Sequence, residues 1–299
     1  GTKLTGENFG ADTFSAGEVV FNTSMVGYPE SFTDPSYTGQ IMVLTYPLIG
    51  NYGVGEADKD ENEIEKRFES GKIHIKGLIV TEYSENYNHW DANKSLGEWL
   101  KKNNIPAITG IDTRALTEKI REHGTLLGKI VPEGQKDQDF YNPDLDNLVD
   151  QVSPKEPRTY NMDSRSTRDP SLLTTTSRSL KDSRSVRNSS LLTVTSRSLK
   201  GKKTIVCIDC GMKNNILRNF LDRDVTVIRV PWDYDFITAG LEFDGIFMSN
   251  GPGDPAMLTP LHNTIKKALK LNKPIFGICL GSQIMALAAG AKTYKLKFG

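Results

Sequence analysis

The sequence predicts an α/β protein with a mixed α+β N-terminal domain over residues 1–152 and a parallel-sheet domain over residues 203–299. From Lys203 onward, short apolar runs alternate strictly with helical segments, which is typical of a parallel sheet covered on both faces. Before residue 152, apolar runs are separated by Gly and Pro turns. Between these two parts, Ser, Thr, Arg and Lys dominate and predict a disordered linker over residues 153–202.

The composition excludes several classes of protein. The 299 residues carry 37 Lys plus Arg and 37 Asp plus Glu, so no overall basic charge indicates nucleic-acid binding. No apolar run approaches the ~18–20 residues of a membrane span, and the N-terminus does not read as a signal peptide. Three cysteines are too few for a disulfide scaffold, which favours a reducing compartment. We therefore expect a cytoplasmic protein that contacts neither nucleic acid nor membrane.

Helix and strand signals can be placed in both domains. Ser95 and Glu98 form a capping-box pattern that predicts a helix start, and Asp112 opens a second helix that ends near Gly124, expected in the left-handed conformation. The predicted strands are 18–21, 41–44, 77–80, 204–208, 225–230, 245–248 and 274–278, and the predicted helices of the second domain are 214–221, 259–271 and 280–289.

The linker contains a tandem repeat. Residues 163–181 read DSRSTRDPSLLTTTSRSLK, and residues 182–200 repeat this unit with four changes. Two copies are too few for a solenoid, which needs about three. Arg168 lies three residues before Ser171, and the second copy keeps this spacing, so phosphorylation is one hypothesis. A tolerated duplication in a loop is the favoured alternative.

The pair Cys207 and Cys210 forms a C-x-x-C pattern. A zinc site normally needs a second pair or nearby histidines, and none follows in the sequence. The apolar run 204–206 leads directly into the pair and indicates a buried strand. We therefore interpret these cysteines as core residues and expect no metal site.

Residues 277–281, Gly-Ile-Cys-Leu-Gly, have the G-x-C-x-G form of a nucleophile elbow. Such an elbow holds Cys279 on a sharp strand-to-helix turn, with small residues on either side that let strand and helix approach closely. A helix N-terminus favours the thiolate, and the backbone N–H of Leu280 is placed to stabilise an oxyanion. The alternative is a buried structural cysteine in an ordinary turn.

A second loop, residues 249–255, also follows a predicted strand and reads Ser-Asn-Gly-Pro-Gly-Asp-Pro. Ligands of parallel sheets bind at the carboxyl ends of the strands, where both loops are expected. Gly253 could supply a second oxyanion donor. The loop lacks the Lys-Ser/Thr of a phosphate-binding P-loop, and an ordinary turn remains the alternative.

Together, residues 249–255 and 276–281 resemble the class I glutamine amidotransferases. Residues 213–218 and 290–293 narrow the resemblance to the small subunit of carbamoyl-phosphate synthetase. Five segments of the first domain resemble that subunit's N-terminal domain, and the resemblance covers nearly everything except residues 155–202. These segments are 17–25, 27–30, 33–37, 46–51 and 110–114.

The resemblance implies roles for particular residues. Cys279 would attack the side-chain amide of L-glutamine, form a thioester and release ammonia. Leu280 and Gly253 would offer N–H groups to the oxyanion. The residues that would contact glutamine are Ser36, Gly251, Gly253, Leu280 and Gln283.

The resemblance also implies a partner. Ammonia would pass through a tunnel to the large synthetase subunit or to a fused synthetase region, where ATP, Mg²⁺ and bicarbonate are used. No cofactor is expected in the present segment. The long Ser/Arg linker favours a fused multifunctional protein of pyrimidine synthesis, although an arginine-pathway subunit would share the same motifs.

Two departures from the family pattern stand out. Ser282 replaces a histidine that often follows the elbow, and no H-x-E pair follows Cys279. The four histidines lie upstream, and the H-x-D pattern at His89 lies in the other domain. We expect both ends of the chain to be cut and the isolated chain to be nearly inactive, since a general base contributes ~10²–10⁴-fold. The alternatives are a non-catalytic regulatory or scaffold module and, less favoured, an unrelated cysteine hydrolase.

Overall fold

Two β-sheets, one in each half of the chain, organise the protein. The structure is a computed structural model that describes residues 1–161 and 202–296. Each sheet combines parallel and antiparallel pairings, and helices pack against both. The predicted α/β class is confirmed.

The first half contains short strands and helices in alternation. The strands are β1 (Glu7–Asn8), β2 (Ser15–Asn22), β3 (Gln40–Leu44), β4 (Leu48–Ile49), β5 (Gly77–Ile79), β6 (Glu82–Tyr83), β7 (Ala107–Thr109) and β8 (Leu126–Ile130). The helices are α1 (Tyr28–Phe32), α2 (Leu96–Lys102), α3 (Thr113–His123) and α4 (Leu148–Val152). Three of these strands extend those predicted at 18–21, 41–44 and 77–80 or match them within a residue.

The six-stranded sheet has the order β1-β7-β5-β3-β2-β8, and β4 pairs separately with β6. Its four inner strands run parallel, whereas β1 and β8 pair antiparallel at the edges. Successive residues of β3 point to opposite faces, as the period of a strand requires. Ile41 packs with Ile120 of α3, and Met42 packs with Leu100 of α2. One helix therefore covers each face.

The predicted helix caps are largely confirmed. The Ser95 hydroxyl accepts from the Glu98 backbone N–H at 3.2 Å, and the Glu98 carboxylate accepts from the Ser95 N–H at 2.8 Å, which completes the capping box. Gly124 ends α3 with φ +85° and ψ −145°. Its φ is positive as expected, but its ψ lies outside the left-handed helical region, because the chain turns directly into β8.

The second half contains a five-stranded sheet in the order β13-β12-β10-β11-β9. The strands are β9 (Arg158–Tyr160), β10 (Thr204–Asp209), β11 (Thr226–Pro231), β12 (Gly245–Met248) and β13 (Ile275–Gly277). The helices are α5 (Asn214–Leu221), α6 (Thr259–Ala268) and α7 (Leu280–Ala288). β10 to β13 run parallel, as predicted, and α6 ends three residues before the predicted Leu271. None of the helices in either described range is long and apolar enough to cross a membrane.

The start of the predicted linker is wrong. Residues 153–161 are ordered, because β9 pairs antiparallel with β11 and the side chain of Tyr160 is buried. Ser153 anchors the preceding turn by donating to the Asp209 carbonyl at 2.6 Å and accepting from the Trp232 N–H at 3.0 Å. The repeat at 163–200 lies outside the described residues.

Both boundaries of the undescribed segment lie at one end of the second sheet. Tyr160 pairs with Val227, and Thr204 pairs with Thr226, so the end of β9 and the start of β10 flank the start of β11. Neighbouring strands are ~4.8 Å apart, so these two points are separated by about 10 Å. Cys279 follows β13 at the opposite end of the sheet.

The two halves are joined through α5 and the segment before β5. Asn214 donates its side-chain N–H to the Glu65 carboxylate at 2.8 Å, and the Asn215 N–H donates to the Glu69 carboxylate at 2.9 Å. Arg218 donates to the Glu65 carbonyl. Val149 of α4 packs into the core of the second sheet. These contacts fix the first half against the site described next.

Candidate active site

Cys279 occupies the strained turn that its motif predicts. The residue lies between β13 and α7 with φ +52° and ψ −113°, a backbone conformation that residues other than glycine rarely adopt. Its side chain is exposed. The N–H groups of Ser282 and Gln283 donate to the Cys279 carbonyl at 3.0 and 3.2 Å and start the helix. The thiol is thus presented to solvent at a helix N-terminus.

Two glycines allow this turn by close packing. A Cβ added at Gly277 would lie 2.5 Å from the carbonyl carbon of Gly281, and a Cβ added at Gly281 would overlap the Met248 carbonyl oxygen. The Ile278 N–H also donates to the Met248 carbonyl at 3.1 Å. Strand β12, strand β13 and helix α7 therefore meet at distances that only glycine permits.

The backbone N–H of Leu280 is available at the start of α7. Leu280 is the first helical residue, and the first N–H groups of a helix have no partner within the helix. Gly251 lies directly beside it, since a Cβ on Gly251 would be 2.9 Å from the Leu280 side chain and would overlap the Cys210 carbonyl oxygen. The loop after β12 and the elbow after β13 therefore meet, as the parallel topology predicts.

Gly253 lies in the loop after β12, and Gln283 lies in the first turn of α7. Gly253 has φ +81° and packs beside Leu148 of α4. Gln283 lies one helical turn beyond Cys279 and is exposed to solvent. The nearest neighbours of a Cβ added at Gly253 belong to Leu148, whereas those of a Cβ added at Gly251 include the Leu280 side chain.

Ser36 belongs to the first half of the chain but reaches the same loop. It sits in a 3-10 helix, Pro35–Tyr37, that is capped by Asp34, whose carboxylate accepts from the Ser36 N–H at 2.9 Å. The Asn250 side-chain N–H donates to the Ser36 hydroxyl at 2.9 Å. A continuous series of contacts therefore runs from Ser36 through Asn250 and Gly251 to the elbow.

Sequence reasoning missed three residues here, Asp34, Lys213 and Asn250. The Lys213 ammonium lies 3.1 Å from the Asp34 carboxylate, and its backbone N–H donates to the Asn250 side chain at 3.2 Å. Burial is the largest single effect and by itself lowers the pKa of Lys213, but the charge of Asp34, the hydrogen bond to it and the nearby Glu69 together outweigh burial and leave that pKa raised. All three residues lie in segments that carry the resemblance, which is the signal that could have found them.

The other reactive side chains point elsewhere. Cys207 and Cys210 are fully buried in separate apolar clusters, which confirms them as core residues, and burial raises the pKa of both thiols. No group of three His, Cys, Asp or Glu side chains within 1–161 and 202–296 is arranged to hold a metal. The hydrogen bonds of the four histidines run to other partners than Cys279, namely Thr38, Ser70, Asp91, Lys119 and Pro255.

Comparison with known proteins identifies both halves. Residues 1–130 match the family described as carbamoyl-phosphate synthase small chain, CPSase domain, and residues 206–299 match glutamine amidotransferase class-I. The chain is 46% identical over 303 residues to the multifunctional protein CAD of Squalus acanthias, with 100% of the chain covered. It is 41% identical over 299 residues to a carbamoyl phosphate synthase arginine-specific small chain of Neosartorya fischeri, with 98% of the chain covered.

A third relative has a name that specifies ammonia. The mitochondrial carbamoyl-phosphate synthase [ammonia] of Homo sapiens is 42% identical over 300 residues. The chain spans 12% of the CAD relative, 17% of the human relative and 58% of the arginine-specific small chain. With a CPSase domain followed by a class I amidotransferase domain, the chain belongs to the carbamoyl-phosphate synthase small-chain family.

Proposed function

We propose that this chain is the part of a carbamoyl-phosphate synthetase that binds L-glutamine and releases ammonia from it. The observation that carries the proposal is the conformation of Cys279, which is held at φ +52° on an exposed turn at the start of α7. A structural cysteine needs neither a strained backbone nor exposure, because buried cysteines pack as ordinary apolar residues.

The chemistry follows from the neighbours of the thiol. The sulfur of Cys279 bonds to the amide carbon of glutamine, and the carbonyl oxygen takes up negative charge in the tetrahedral intermediate. The N–H of Leu280 and an N–H of the Gly251–Gly253 loop stabilise that charge. The C–N bond then breaks, the proton that the Cys279 thiol gives up moves to the leaving nitrogen, and ammonia departs, leaving a glutamyl thioester. Water cleaves the thioester to give glutamate and the free thiol.

Ammonia is consumed by a synthetase partner, either a large subunit or a fused region of the same polypeptide. ATP, Mg²⁺ and bicarbonate are used in that partner, and the present chain itself uses no cofactor. We place the reaction in the cytoplasm and in pyrimidine synthesis, with arginine synthesis as the alternative. The multifunctional relatives support the fused form, and the arginine-specific relative supports the separate one.

The second candidate is a non-catalytic module that docks on the synthetase. The human relative supports this alternative, because its name specifies ammonia, while it is similar to the present chain over 99% of the chain's length. The two candidates differ in whether the elbow accepts glutamine. The exposed Cys279 favours glutamine hydrolysis, because a docking module needs no exposed thiol.

The test is covalent labelling with a chloroketone analogue of L-glutamine, followed by mass spectrometry of the peptides. We expect labelling at Cys279 whose rate saturates with reagent concentration and is slowed by added L-glutamine. Cys207 and Cys210 serve as internal controls because both are buried. Labelling that does not saturate, or that L-glutamine does not slow, would contradict the proposed function and leave the docking module.

A further inference from the structure

A cavity of about 320 Å³ lies at the amino ends of the four inner strands of the first sheet. Its walls come from the segments that begin or directly precede β2, β3, β5 and β7, together with one residue of α4. Its lining residues include neither Cys279 nor any residue of the loop after β12. Small-molecule sites usually measure about 300–1,000 Å³. The cavity is therefore separate from the site described above and large enough for a small ligand.

The charged side chains that line this cavity are all cationic. Lys72 and Lys76 are exposed at its edge, and no Asp or Glu is among the lining residues. Within 1–161 and 202–296, neither ammonium group takes part in an ion pair or a hydrogen bond. The Lys76 ammonium lies 5.9 Å from the centre of the Tyr141 ring, a contact that leaves its N–H groups free to donate. The cavity therefore offers two positive charges to a ligand.

The backbone of Lys76 is held firmly on the wall of the cavity. Its N–H donates to the Gln40 carbonyl at 2.7 Å, and its carbonyl accepts from the Ser15 hydroxyl at 2.6 Å. These two partners begin β3 and β2, so Lys76 is fixed to two neighbouring strands. The whole run 72–76 lines the cavity. The two lysines thus extend from one fixed segment, and only their side chains need to move to contact a ligand.

The rest of the lining combines an apolar wall with hydrogen-bond donors. The apolar lining residues are Phe14, Ile73, Ile75, Ile105 and Pro106. Thr13 and Asn104 also line the cavity, and in the described parts of the chain their side chains make no hydrogen bond. A threonine hydroxyl and an asparagine NH₂ group can both donate. The lining therefore suits a ligand with acceptor oxygens at one end and an apolar body at the other.

His74 is a buried polar residue of the same lining. Its ring nitrogens lie 2.9 Å from the Thr38 hydroxyl oxygen and 3.0 Å from the Ser70 hydroxyl oxygen. Burial, and then the charge of Lys72, lowers the pKa of His74 to about 4, so its ring is neutral at pH 7. The positive charge of the cavity therefore comes from the lysines, and the His74 ring can report on a ligand beside it.

We propose that this cavity binds an organic phosphate monoester, with its phosphate group at Lys72 and Lys76 and its organic part against the apolar wall. Such a phosphate carries about −1.5 to −2 charges near pH 7 and three acceptor oxygens, which matches two ammonium groups better than a single carboxylate does. Lysine binds phosphate as a point charge and needs no fixed geometry for it. The inference does not rest on the glutamine reaction, because the cavity shares no lining residue with the elbow or its loop.

The experiment titrates the full chain, with ¹³C-labelled histidine rings, with three probes at pH 7 and low salt. The probes are phenyl phosphate, inorganic phosphate and benzyl alcohol, followed by NMR and by calorimetry. We expect phenyl phosphate to shift the His74 signal saturably and to leave those of His89, His123 and His262 unchanged, because these three lie outside the cavity. Burial of the phenyl group should make phenyl phosphate bind roughly 10-fold or more tightly than inorganic phosphate. Benzyl alcohol, which lacks the charge, should not saturate the site.

Two variants test the lysines. Lys72→Gln and Lys76→Gln should each weaken binding of phenyl phosphate roughly 5- to 10-fold, as for a lost hydrogen bond between charged groups at an exposed site. Both side chains are exposed, so neither change disturbs the core. Lys270→Gln is the matched control, because it removes an exposed lysine of the second half that does not line the cavity. That control should change the affinity by less than about twofold.

A selective His74 shift, together with weaker binding in both lysine variants and not in the control, would support the proposal. A His74 signal that does not respond to phenyl phosphate would overturn it, and so would lysine variants that bind as the wild-type chain does. Equal affinities for phenyl phosphate and inorganic phosphate would refute the role of the apolar wall, and saturable binding of benzyl alcohol would refute the role of charge. Labelling of Cys279 tests the glutamine reaction separately, so the two proposals can fail independently.

Discussion

Replacing Cys279 by glycine should stabilise the protein relative to replacing it by alanine. Both changes remove the exposed thiol, so they differ only in the Cβ that alanine retains at φ +52°. A side chain in such a region costs about 1–3 kcal/mol. Glycine loses about 0.5–1 kcal/mol because its unfolded chain is more flexible. The difference leaves Cys279→Gly more stable than Cys279→Ala by about 1 kcal/mol.

Urea unfolding of the two variants measures this difference. With a slope of about 1–3 kcal/mol per molar urea, the midpoint of Cys279→Gly should lie roughly 0.3–1 M above that of Cys279→Ala. Ala289→Gly is the matched control, since Ala289 is exposed at the end of the same helix with an ordinary φ of −78°. There the same alanine-to-glycine change should destabilise by about 0.5–1 kcal/mol. If Cys279→Gly is no more stable than Cys279→Ala, the turn is not strained, and the observation behind the proposed nucleophile is lost.

Two further predictions concern buried side chains that can carry a charge. Burial, reinforced by the charge of Lys72, lowers the pKa of His74 to about 4 from 6.5. As the pH falls through this range the unfolded chain takes up the proton first, so the free energy of unfolding should drop by on the order of 3 kcal/mol between pH 6.5 and 4, and His74→Gln should remove that slope in urea unfolding. The Asp209 carboxylate is fully buried and accepts from Arg229 and from two backbone N–H groups, so Asp209→Asn should lower the free energy of unfolding by about 3–5 kcal/mol. Asp244, which pairs with Lys203 at the surface, is the control, and Asp244→Asn should cost less than about 1 kcal/mol. Equal losses for the two variants in thermal or urea unfolding would refute the prediction.

The elbow could be predicted from sequence because its determinants are local. Gly277, Cys279 and Gly281 lie within five residues, and the strand before them and the helix after them are apolar and periodic. The backbone strain follows from that spacing. By contrast, Arg158–Tyr160 is short and follows a proline, and it becomes a strand only because β11 offers it an open edge. Composition alone assigned it to the linker.

The role of Asn250 could not be predicted in this way. Its partner Ser36 lies 214 residues away in the chain, and only the docking of the two halves brings the two side chains together. The same holds for Lys213 and Asp34. Motif reasoning finds the groups that touch the reacting atoms, whereas the groups that hold them depend on tertiary packing.

The arrangement of β9, β10 and β11 has a consequence for how the chain tolerates added length. Tyr160 and Thr204, the strand residues that flank the 162–201 segment, are about 10 Å apart, and the entropy of closing a chain segment between two fixed points grows only with the logarithm of its length. Doubling such a loop costs about 0.6 kcal/mol, so duplication of the 19-residue unit there has little thermodynamic effect. Cys279 lies at the far end of the sheet, so the length of the chain between β9 and β10 can change without displacing the end of the sheet that carries Cys279. That separation makes the repeat a suitable point for a reporter insertion.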